Sequence, residues 1–82
     1  MNYKNWMRKT YLTEKGPKGK LAQRIKADGR FPINGARKFD GWQEVLMDYL
    51  RKKNADINTM NAFFETWTEY EACERKRLNM RL

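Results

Sequence analysis

The chain contains no histidine and a single cysteine, Cys73. Those two scarcities remove the usual general base near neutral pH, the usual zinc ligand sets and any internal disulfide. With no histidine to activate it, Cys73 reads as a bystander in a reducing compartment rather than as a nucleophile. The ten carboxylates fall at helical surface spacings, and no two of them share an apolar setting that would raise a pKa. No catalytic residue, metal site, cofactor or small-molecule substrate is therefore expected. Nothing approaches the ~20 consecutive apolar residues of a membrane span, and the apolar core of a secretory signal is missing too. The expected location is the cytoplasm, away from the membrane.

Aromatic bulk and positive charge stand against those absences. A chain of 82 residues supports one domain, and at that size only ~60 to 65% of the unfolded surface is buried. Three Trp, four Tyr and four Phe supply the core volume that so small a domain needs. Lys and Arg outnumber Asp and Glu by 18 to 10, and they are unevenly placed. Residues 1 to 38 hold eleven basic and two acidic residues, whereas residues 39 to 74 hold three basic and eight acidic ones. Four further cations follow from Arg75, so the three segments carry +9, −5 and +4. Clustered Lys and Arg suit a polyanion, because they release condensed counterions from a phosphate backbone. A solvated basic face and head-to-tail self-association, basic half against acidic half, are the two other meanings of such asymmetry.

Periodicity predicts helices throughout. Tyr3, Trp6, Met7 and Tyr11 share one face of a first helix. Thr13 to Gly19, with two Gly and Pro17, reads as a loop. Leu21, Ala22 and Ile25 form the inner side of a second helix whose outer side is basic, and Asp28-Gly29-Arg30-Phe31-Pro32 stops it, with Phe31 plugging the core. After an irregular basic segment, Asp40 with Gln43 resembles a capping box. Trp42, Val45, Leu46, Tyr49 and Leu50 then form the clearest apolar stripe, with Met47 left alone on the polar side. Asn58 or Thr59 is placed to cap a last helix carrying Met60, Phe63, Phe64, Trp67 and Tyr70 inward and Glu65 and Glu69 outward. No run has the strict alternation of a half-buried strand. The expected fold is all-α, a compact bundle with core residues Trp6, Leu21, Ile25, Phe31, Trp42, Leu46, Tyr49, Phe63, Trp67 and Tyr70. Residues 1 to 74 form the domain, and residues 75 to 82 are a basic helical extension or tail.

Once these elements are placed, a family pattern is visible. Leu21-Ala22-Gln23-Arg24-Ile25-Lys26-Ala27-Asp28-Gly29-Arg30-Phe31-Pro32 resembles the L-A-x-x-I-x-x-D-x-x-F-P stretch of the YozE-type family of small bacterial proteins. Asp48-Tyr49-Leu50 and Thr59-Met60-Asn61-Ala62-Phe63-Phe64-Glu65-Thr66-Trp67-Thr68-Glu69-Tyr70 are similar to its Y-L and T-M-x-x-F-x-E-x-W-x-x-Y elements. The similarity runs from about residue 3 to 74 and implies a sterile-alpha-motif-like (SAM-like) bundle of four to five short helices. Phe31, Trp67 and Tyr70 carry over as packing residues. The stretch from Ile33 to Trp42 is longer than the family pattern and holds Arg37 and Lys38. The resemblance implies no function, and folds of this kind serve both protein association and nucleic-acid binding.

The candidate site therefore has to come from the surface. Gly16-Pro17-Lys18-Gly19-Lys20 lacks the Ser or Thr and the preceding strand of a Walker loop, and the strands of a KH clamp, so it reads as a turn. Lys15, Lys18, Lys20, Arg24, Arg30, Arg37 and Lys38 make the candidate nucleic-acid patch, suited to DNA or RNA phosphates and carrying little sequence information. The alternative is a protein-binding module, including an accessory or inhibitor protein of a phage or other mobile element, engaging another protein or itself. Exposed apolar residues around Met47, or around Leu78 and Met80, would be its mark.

Overall fold

The computed structural model describes residues 1–34 and 41–80 of the chain. Among them are four helices and no strand: α1 (Tyr3–Tyr11), α2 (Pro17–Ala27), α3 (Trp42–Lys52) and α4 (Ile57–Met80). The all-α bundle expected from the 3.6-residue spacing is the fold that forms. Helix α4 packs against the other three, and α1 also packs along α2.

Local chemistry sets most helix ends. Asn2 caps α1 by accepting the Asn5 amide at 2.8 Å, which satisfies a donor the first turn would leave orphaned. The break after α1 is shorter than the glycines and proline predict, because Pro17 opens α2 instead of sitting in a loop. Its fixed φ and missing N–H suit the first helical position. Gly19, in that first turn, is required: a Cβ built there would stand 1.8 Å from the carbonyl oxygen of Glu14. Helix α3 ends with Asn54 in the left-handed region, φ 59°. The Asn54 amide bonds Arg51 and the Ala55 amide bonds Leu50, so the last carbonyls are closed in a Schellman arrangement.

Two predicted caps differ. Asp56, not Asn58 or Thr59, caps α4, accepting the Thr59 amide at 2.8 Å. Gly41 holds the N-cap position of α3 with φ 80° and no side-chain cap, and the capping-box residue Asp40 lies outside the described residues.

The core is an aromatic cluster centred on Tyr3. Its ring lies 5.4 to 6.4 Å from those of Trp6, Phe31, Phe63, Trp67 and Tyr70, and Met7, Leu21, Ile25, Leu46 and Leu50 close around it. Burial of the hydroxyl pushes the Tyr3 pKa far up, so it stays a neutral partner of Thr66 at 2.7 Å. Asn34, fully enclosed, accepts the Tyr3 amide at 2.9 Å and donates to the Tyr70 hydroxyl at 2.8 Å. That amide ties the segment after Phe31 to both α1 and α4. Among the described residues no buried side-chain nitrogen or oxygen lacks a partner, which such polar insertions into a core require.

Eight of the ten predicted core residues are buried, while Trp42 and Tyr49 are half-buried and packed on the cluster. The α3 stripe is rotated from its predicted position. Val45 is 46% exposed, and Met47, expected on the polar side, packs against the core. Phe64, expected inside, is on the surface. The inner side of α4 has buried Ala62 and Thr66 where a larger side chain was expected, because small residues let α1 and α2 approach that face. Helix α4 also continues without interruption past Glu74. This carboxylate, predicted to end core contact, is buried and pairs with the Met1 ammonium at 3.2 Å and Arg77 at 3.3 Å.

Candidate nucleic-acid interface

Helix α2 carries the cations of the predicted patch, and the bundle treats its two ends differently. At the N-terminal end, Lys18 reaches across to α4, with its ammonium 2.7 Å from Glu69, 3.7 Å from Glu65 and 5.5 Å from the Tyr11 ring centroid. Glu69 also accepts from the Tyr11 hydroxyl. Burial pushes the Glu69 carboxyl up, but the hydrogen bonds from Lys18 and Tyr11 together outweigh it and hold the group below the ordinary carboxylate range. The bond to Glu69 correspondingly raises Lys18. Lys18 thus fastens α2 to α4, and its charge is already answered. Lys15 lies beside it, lining with Glu14 and Glu65 an open groove of about 300 Å³ whose charges are of both signs.

At the C-terminal end the balance is opposite. Arg24 donates to the Lys53 carbonyl at 2.8 Å, drawing α2 to the end of α3. Lys4, from α1, donates to the Asp28 carbonyl at 3.1 Å. The Asp28 carboxylate accepts the Arg30 amide at 2.9 Å and the Tyr49 hydroxyl. The Lys53 ammonium lies 5.6 Å from the centroid of the Tyr49 ring, a cation-π distance. The Tyr49 hydroxyl, with lesser help from the Arg30 amide and from nearby Lys53 and Lys4, holds Asp28 below its ordinary pKa. Tyr49 is raised in turn, mainly by its bond to Asp28, with Arg30 and Arg24 close enough to oppose the shift. Asp56 is lowered first by its bonds to Thr59 and then by Arg24 and Lys20.

Those proximities join Lys4, Lys20, Arg24, Arg30 and Lys53 into one cationic band. Only Asp28 and Asp56 lie within it as counter-charges, and none of its five cations makes an ion pair among the described residues. The band comes from α1, α2, the α2–α3 connection and the end of α3, so the fold alone assembles it.

A family model, YozE SAM-like fold, matches residues 3–72. The chain belongs to this family. The YozE SAM-like match spans every aromatic residue of the core and all five cations of the band, and its name describes a fold without assigning a reaction or a ligand. No curated protein and no solved structure matches the chain.

Of the seven residues predicted for the patch, this YozE SAM-like bundle brings together Lys20, Arg24 and Arg30. It commits Lys18 to Glu69 and leaves Lys15 at the opposite end of α2, beside Glu14. Arg37 and Lys38 lie outside the described residues. Lys4 and Lys53 were missed. The spacing of Tyr49 and Lys53, one turn apart at the end of α3, is a local signal for the second, but nothing near Lys4 in sequence points to Asp28. The predicted apolar marks of a protein interface are also absent where expected. Met47 and Leu78 are half-buried against the core, and the Met80 side chain lies outside what is described. The exposed large apolar residues are instead Ile33, Val45, Ile57 and Phe64. Among the described residues no group of three or more His, Cys, Asp or Glu is placed to hold a metal ion, and no helix is long and apolar enough to cross a membrane.

Proposed function

We propose that the protein is a non-catalytic binding module that contacts nucleic-acid phosphates through Lys4, Lys20, Arg24, Arg30 and Lys53, without sequence specificity. One observation carries this: five cations from four separate parts of the chain converge on one face around two carboxylates, and none of them makes an ion pair. Lysines and an arginine fork aimed outward suit phosphate oxygens, which position a duplex or strand but carry no sequence information. The absence of histidine and of a carboxylate raised in an apolar site supports a binding role over a catalytic one. Tyr49 is committed to Asp28, Lys53 and Phe31, which leaves no ring free in the band for base stacking.

The test is fluorescence anisotropy of short labelled duplex and single-stranded DNA and RNA, titrated at several salt concentrations. The expected result is binding in the ~10⁻⁴ to 10⁻⁶ M range of non-specific complexes, little affected by sequence. A log–log salt slope between about −3 and −5 would correspond to three to five phosphates neutralised. The double variant Lys20→Glu with Lys53→Glu should abolish binding without altering the helical circular dichroism signal. Absence of binding at low salt, or undiminished binding by the double variant, would overturn the proposal.

A further inference from the structure

Helix α4 carries a second surface of opposite character. Ile57, Asn61, Phe64, Thr68 and Ala72 succeed one another at spacings of four, three, four and four residues, which places them along one line of a helix. All five are exposed, Ile57 at 75% and Phe64 at 38%. The line runs opposite the face that carries buried Phe63, Thr66, Tyr70 and Glu74, and it holds no charge over four turns of a chain in which 34% of residues are charged. Its surroundings are acidic. From Asn54 to Glu74 the chain has five carboxylates, Asp56, Glu65, Glu69, Glu71 and Glu74, and no Lys or Arg. Glu65 flanks the line with a side chain 65% exposed.

We propose that this face of α4 docks an amphipathic helix of a protein partner, one whose apolar stripe covers Ile57 and Phe64 and whose flanks carry Lys or Arg. Two apolar anchors seven residues apart are the spacing by which one helix reads the apolar stripe of another. Leaving Ile57 exposed is unfavourable in water, and covering it with a leucine or methionine recovers that loss. The acidic margin then selects partners by charge. An acidic helix would set carboxylate against carboxylate, and so would the α4 face of a second copy, whereas a basic one finds complementary charge on a molecule whose remaining surface repels it. This surface is independent of the phosphate band: it uses none of the five cations, and its failure leaves the band intact.

The probe is a synthetic helix with leucines on one face and lysines elsewhere. Its control is a peptide of the same composition scrambled so that the leucines no longer share a face. Both are titrated into the full chain by calorimetry at near-physiological salt. The amphipathic peptide should bind and the scrambled one should bind at least ~10-fold more weakly, because equal charge no longer accompanies a matching stripe. Ile57→Ser and Phe64→Ser should each weaken binding roughly tenfold, and Glu65→Lys should weaken it further at low salt than at high. Because the Phe64 ring leans on Phe63 with centroids 5.7 Å apart, Ile57→Ser carries the decision. The variant Lys20→Glu with Lys53→Glu should bind the peptide as wild type does. Equal binding of the two peptides, or wild-type affinity in Ile57→Ser, would overturn the proposal.

Discussion

At the N-terminal end of α2, Lys18 is held by Glu69 and Glu65 and braced against Tyr11. At the C-terminal end, Arg24 and Arg30 are joined by Lys4 and Lys53 around one carboxylate that cannot balance them. The same residue types thus do structural work at one end and present charge to solvent at the other. What differs is the element opposite: acidic α4 faces the first end, and the basic terminus of α3 faces the second. A cation's role here follows from its neighbour across the bundle, not from its own helix.

The largest expected effect comes from disturbing the structural end. Gly19→Ala forces a methyl group into the Glu14 carbonyl, and the overpacking should cost about 2 to 3 kcal/mol. Gly29→Ala, beyond the opposite end of α2, meets nothing within 4 Å and should change stability by less than about 0.5 kcal/mol. Urea unfolding of the two variants checks both, and equal losses would remove the asymmetry. Next comes Glu69→Gln, which takes the carboxylate from Lys18 and Tyr11. Both partners of the ion pair are about one-third exposed, so solvent screening limits the loss to about 1 kcal/mol. A comparable loss on Lys20→Gln would contradict the distinction, since Lys20 makes no ion pair.

A smaller effect is expected with pH. Glu69, Asp28 and Asp56 are all lowered in the folded chain. Groups with depressed folded pKa values contribute stability that is fully present above their ordinary values, 4.5 for Glu and 3.8 for Asp, and lost as pH falls through the folded ones. Melting temperature should therefore be flat from neutrality down to about pH 5 and decline below it. Glu69→Gln should decline less steeply than wild type, and an identical acid limb would show that Glu69 contributes nothing.

The structural end and the core were largely legible in the sequence, and the cationic band only partly so. Tyr3, Trp6, Phe31, Phe63, Trp67 and Tyr70 announce themselves by size and by helical spacing. Leu21, Ala22 and Ile25 reveal which side of α2 turns inward. Periodicity fixes a helix better than its rotation, which is why Val45 and Phe64 were assigned inward and Met47 outward. The bundle decides such positions by packing small Ala62 and Thr66 under α1 and α2. The pairing of Lys18 with Glu69 spans 51 residues, and the meeting of Lys4 with Asp28 depends on where α1 begins relative to where α2 ends. Neither leaves a local trace in the sequence. Lys20, Arg24 and Arg30 were found because they lie close together along the chain. Lys4 and Lys53 were not, because only the folded bundle brings them there.

The most direct test of the division between the two ends of α2 is a ¹H–¹⁵N correlation spectrum of the full chain titrated with a short DNA duplex at low salt. The amides of Lys4, Lys20, Arg24, Asp28 to Arg30, Tyr49 and Lys53 should shift together and saturate at one affinity, with Lys15 to Gly19 and Ile57 to Phe64 unmoved. Shifts centred on Lys15 and Lys18, or spread evenly over every exposed cation, would contradict a phosphate site assembled at the C-terminal end of α2.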